Sequence, residues 1–152
     1  MSQMSRRSLL SVTAAAATLA MIRPAPAAGT RVSTGKTDLA IQGYDTRAYW
    51  SHREARMGAD GFTVNWRGVP WHFANAQEAA MFQADPESFA PQFGGFCTRA
   101  MSLKKVVDGD PKVWRIFENR LYLFARPVGG RHFDKGQAEM ILKAQAHWDS
   151  LE

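Results

Sequence analysis

The chain has 152 residues, 45% hydrophobic and 11% aromatic, with 19 Lys+Arg against 14 Asp+Glu and a net charge of +5. Arg6, Arg7 and Arg23 lie in an N-terminal leader without acidic residues; the remainder carries 16 basic and 14 acidic residues, a net +2. That balance, with no basic helix carrying interleaved aromatics, excludes a nucleic-acid binder, and the single cysteine, Cys97, excludes a disulfide framework.

Ser5-Arg6-Arg7-Ser8-Leu9-Leu10, leading into an Ala-rich apolar run, has the form of a twin-arginine export signal. The run from Leu9 to Ile22 is 14 residues, short of the roughly 20 that span a bilayer. Pro24-Ala25-Pro26-Ala27-Ala28 supplies small residues for cleavage after Ala27 or Ala28. The expected organisation is a signal peptide over 1–28, a loose linker over 29–37 and one domain over 38–150. The mature protein is expected in the periplasm with no membrane span.

Within the domain, Asp45 is placed to cap a brief helix through Tyr49 and Trp50. Phe62 to Trp66 alternates apolar and polar residues, Arg67-Gly68 turns, and Trp71-His72-Phe73 returns, which predicts a hairpin. Asn75 and Glu78 form a capping box for a helix over 76–84, stopped at Asp85-Pro86, with a further helical turn carrying Phe89. Trp114–Phe117 and Leu121–Phe124 predict a second hairpin. A closing helix from Phe133 to Ser150 presents Met140, Ile141, Ala144 and Trp148 as an apolar stripe. No internal repeat is read. The fold class is α+β: a single small domain of two hairpins packed with short helices and a C-terminal helix.

Few residues offer chemistry. Cys97 follows the flexible pair Gly94-Gly95 and is either a buried small hydrophobe or a functional thiol. Met101 lies four residues on, so a helical turn would put two soft sulfur ligands suited to Cu(I) on one face. His72 alternates with Trp71 and Phe73 and therefore faces away from them, toward solvent or a cleft. A blue-copper ligand order, zinc spacings, a P-loop and a nucleophile elbow are all missing from the sequence. No catalytic constellation is recognisable.

Trp66-Arg67-Gly68-Val69-Pro70-Trp71-His72-Phe73, followed by Phe82, Asp85-Pro86 and Phe89, resembles the YHS domain. Gln42-Gly43-Tyr44-Asp45 upstream, Ala90 to Cys97, Leu121-Tyr122-Leu123, and Ala144 to Trp148 extend the likeness over about residues 38 to 148. The chain is thus similar to a group of small exported bacterial YHS proteins. The resemblance implies a treble-clef-like core and kinship with modules that bind metals through cysteines. The two family cysteine positions here hold Ala74 and Glu78, so that metal site is not preserved. Any metal or cofactor would fall to Cys97, His72, Met101 and Tyr44. The expectation is a non-enzymatic periplasmic protein that binds or handles a soft metal, copper ahead of haem. The alternatives are a metal-free module for a periplasmic protein partner, and a thiol-redox protein acting through Cys97.

Overall fold

Two antiparallel hairpins organise the domain: β1 (Ala59–Trp66) with β2 (Val69–Phe73), and β3 (Asp110–Phe117) with β4 (Arg120–Phe124). Each closes through a two-residue turn with both residues at positive φ, Arg67-Gly68 and Glu118-Asn119. Such turns match the right-handed twist of the strands they join. The computed structural model describes residues 31–151; the expected signal and cleavage residues, Arg6, Arg7, Ala27 and Ala28, lie outside the described residues. The short helices are α1 (Ala48–Ser51), α2 (Ala76–Ala84), α3 (Pro86–Phe89), α4 (Thr98–Ser102) and α5 (Pro127–Phe133), and the longest is α6 (Gln137–Asp149). Among the described residues no helix is long and apolar enough to cross a membrane.

The expectation of no internal repeat is overturned: residues 39–89 and 91–140 are two copies of one plan. Both hairpins have the same register, shifted by 51 residues from Ala59↔Phe73 to Asp110↔Phe124 and from Trp66↔Val69 to Phe117↔Arg120, with an irregularity at the same place. Upstream, Ile41-Gln42-Gly43 and Phe93-Gly94-Gly95 make the same left-handed turn, 52 residues apart. The turns lead into Tyr44-Asp45-Thr46-Arg47-Ala48 and Phe96-Cys97-Thr98-Arg99-Ala100. The backbone N–H groups of Asp45 and Cys97 donate to equivalent carbonyls, those of Arg56 and Val107 (2.8 Å each). After the hairpins, α2 corresponds to α5, and α3 starts where α6 starts. The second copy differs mainly in continuing that last turn into a full helix.

The copies share an interior through β4. Its odd residues, Leu121 and Leu123, join Tyr49, Trp71, Phe73 and Phe82 in one cluster; its even residues, Tyr122 and Phe124, join Cys97, Met101, Phe133, Met140 and Ala144 in the other. A strand buried on both faces carries apolar residues in succession, as β4 does from Leu121 to Phe124 after the exposed Arg120. β2 has no such cover on its outer face, where His72 is half-buried beside Thr63 while Trp71 and Phe73 are fully buried. The outward orientation expected of His72 is what the alternation produced.

Three local expectations need correction. The closing helix does not begin at Phe133: α5 ends there, the chain breaks over 134–136, and α6 starts at Gln137. The linker is anchored at Ser33, which is buried; its N–H donates to Gly94 O (2.8 Å) and its hydroxyl to Asp108 Oδ1 (2.7 Å). Asn75 caps α2 by accepting from Glu78 N (3.0 Å), but the Glu78 carboxylate turns to Arg47. An ion pair with little water access outcompetes the local half of a capping box.

Gly58 and Gly109 hold corresponding places where the chain enters the hairpins. A Cβ on Gly58 would lie 2.6 Å from Phe73 N and against the His72 carbonyl, and one on Gly109 would lie 2.5 Å from Gly95 O. Backbone cannot yield there without spoiling the ladder. Gly58→Ala is expected to destabilise the fold by about 2–3 kcal/mol, at the high end for overpacking, read as a lowered urea midpoint.

Candidate functional site

Cys97 sits at the N-cap of α4, buried, with Sγ accepting from Ala100 N at 3.4 Å. In the first copy Asp45 holds the matching position but does not cap α1 as expected, because that helix opens at Arg47 without a side-chain cap. Its Oδ1 accepts from Arg47 N (2.8 Å) and its Oδ2 from Ala74 N (2.9 Å), which ties the entry turn to the end of β2. Met101 is fully buried, as is its counterpart Tyr49. The two sulfurs therefore share one apolar cluster, as their spacing predicts, and both have structural work there. Tyr44 packs against the other cluster, and His72 belongs to neither. The four candidates are not gathered into one donor set. Among the described residues no three His, Cys, Asp or Glu side chains converge as a metal site would require. Cys97 with Met101 alone does not fit a resident metal or haem.

Thr98 adds a polar oddity beside the thiol. Its counterpart Thr46 donates its hydroxyl to Phe89 O, at the end of α3. In the second copy the equivalent carbonyl, that of Met140, belongs to a continuing helix, and the buried Thr98 Oγ1 has no partner among the described residues. Extension of α6 thus accounts for the orphaned hydroxyl.

What the second copy does possess is a groove of about 840 Å³ between α4, the end of α5 and α6. Arg99, Lys104, Lys135 and Lys143 line it, with His132 and His147, against one carboxylate, Glu139. Lys143 holds Glu139 at 2.6 Å, and that pair keeps the Glu139 carboxyl below its ordinary range. Arg99, Lys104 and Lys135 have no ion-pair partner among the described residues. Leu103, 55% exposed, forms an apolar rim.

No family model, curated protein or solved structure matches this chain.

The groove residues escaped sequence reasoning because they come from separate segments: α4, the loop after it, the end of α5 with the turn behind it, and α6. A signal was nonetheless present. Once Arg47 is laid over Arg99, Glu78 falls on Gly129, so the acid that partners the first arginine has no counterpart for the second.

Proposed function

We propose that this chain is an exported module with a YHS-like, treble-clef-like core that works by binding a protein partner, and that its working face is the basic groove of the second copy. One observation carries the reading: the sulfur pair on which metal chemistry would depend is absorbed by capping and packing, whereas the groove leaves three cations without ion-pair partners among the described residues. Export rests on the leader at Arg6-Arg7, and kinship rests on the residue pattern from Gln42 to Trp148. Copper, haem and redox chemistry are not part of this reading.

Two measurements test it. A photoreactive benzoylphenylalanine replacing Leu103, in full-length protein made by a twin-arginine-competent host, is expected to give a discrete protein adduct. The same residue replacing Thr63, on the exposed face of β1, is expected to give none. No Leu103 adduct, or equal adducts from both, would overturn the reading. Elemental analysis is expected to find no stoichiometric metal; metal present in wild type and lost in Cys97→Ala would restore the metal reading.

A further inference from the structure

The first copy contains a worked example of what the groove is built to accept. Arg47 is 8% exposed at its side chain; Nε donates to Glu78 Oε2 at 3.1 Å, an Nη group lies 3.5 Å from Met81 Sδ, and the guanidinium carbon stands 3.9 Å from the centre of the Phe89 ring. The arginine is held by an acid, a soft side chain and an apolar lid. Each of these positions has a counterpart around Arg99. Met81 corresponds to His132 and Phe89 to Met140, both in the groove wall, and Glu78 corresponds to Gly129.

Only the acid is missing. At Gly129 a Cβ would lie 3.6 Å from Arg99 Cβ, so the backbone there runs directly beside the arginine, but among the described residues no carboxylate pairs with its charge. Arg99 is half-exposed, and the other cations of the groove repel rather than neutralise it. A partly desolvated guanidinium in such a setting favours a carboxylate that can accept two parallel hydrogen bonds. The surrounding lysines extend that preference to a segment carrying more than one negative charge.

The geometry points to an acidic side chain of the protein partner entering the groove and taking, at Arg99, the place that Glu78 holds at Arg47. This deepens the binding reading above and rests on it. The occupant is an acidic peptide segment with an apolar residue for Leu103.

The test uses the full chain and a fluorescein-labelled peptide of alternating glutamate and leucine, with a glutamine-for-glutamate version as control. Fluorescence anisotropy at low salt is expected to show binding of the acidic peptide only, weakening as salt rises. Arg99→Gln is expected to weaken it about tenfold or more, the loss of one charge-assisted contact, while melting with the wild type. Gly129→Glu rebuilds the internal acid and is expected to weaken binding as well. Its side chain must fit 3.2 Å from Phe124 Cβ, so Arg99→Gln remains decisive if that variant misfolds. Equal binding by wild type and Arg99→Gln, or no peptide binding at low salt, would overturn the inference. Free glutarate binding as tightly as the peptide would overturn the acidic segment in favour of a small acid. A Leu103 adduct that forms undiminished in Arg99→Gln would sink this inference alone, whereas absence of the adduct in wild type would sink the binding reading beneath it.

Discussion

Phe82→Ala is expected to lower the unfolding free energy by about 3–5 kcal/mol, and Phe133→Ala by a similar amount. Phe82 is fully buried, with its ring 4.9 Å from that of Phe73, 5.1 Å from Trp71 and 5.7 Å from Trp66. Phe133, its counterpart, is 5.2 Å from both Tyr122 and Phe124 and 5.9 Å from Phe117. Each phenylalanine docks a helix onto its hairpin, and rigid aromatic neighbours cannot collapse into the space an alanine leaves. Such a loss is a large part of the about 5–15 kcal/mol that holds a typical domain together. Because β4 contributes Leu121 and Leu123 to one cluster and Tyr122 and Phe124 to the other, the two copies are expected to unfold together. Urea titrations followed by tryptophan fluorescence and far-ultraviolet circular dichroism should give one coincident transition for both variants, with a lowered midpoint and unchanged slope. A transition confined to one copy would show that the duplication had left two independent folding units.

Local signals carried much of the fold. The alternation at Trp71-His72-Phe73 located a strand and its outer face, and Asn75 and Asp85-Pro86 bounded α2 and α3 because both side chains accept from helix-entry N–H groups. Where tertiary contacts decide, local reading failed. Pro127-Val128-Gly129-Gly130 has the composition of a loop, yet it forms α5. The glycines are needed there for close packing: a Cβ on Gly129 would press on Phe124 and one on Gly130 on the Arg115 guanidinium. The duplication was readable only in the Gly-aromatic-x-Thr-Arg-Ala block at 43–48 and 95–100. Along the strands and helices the copies preserve shape more than identity, with Phe73/Phe124, Ala74/Ala125 and Phe82/Phe133 among the few matches. Cys97 drew notice as the only cysteine, but its capping role becomes clear only once α4 is seen to start at Thr98. The groove was illegible for a different reason, since its cations meet through the packing of α4 against α5 and α6.

Asp45→Ala is also expected to have a large effect, and Cys97→Ala at the matching position is expected to have a small one. Asp45 is buried and accepts from the N–H groups of Arg47 and Ala74, tying the entry turn to the end of β2. The buried Arg47 N–H left without its acceptor costs about 1–3 kcal/mol and the more exposed Ala74 N–H about 1 kcal/mol, so the alanine variant should lose about 2–4 kcal/mol. Burial pushes the Asp45 carboxyl above its usual 3.8, although hydrogen bonds from Ala74 and Arg47 pull the other way. The folded state thus holds the proton more tightly than the unfolded chain. The associated stability is fully present below 3.8 and declines as pH rises through the higher folded value, so the advantage of wild type over Asp45→Asn should shrink across that acid window. Cys97 has only a weak sulfur acceptor, 3.4 Å from a single N–H. Cys97→Ala is accordingly expected to cost about 1 kcal/mol, the loss of an ordinary cap, and Cys97→Ser less. Urea denaturation of the four variants measures the contrast directly. If Cys97→Ala proved as damaging as Asp45→Ala, the thiol would be holding something that one long hydrogen bond does not explain, and the metal reading would regain its footing.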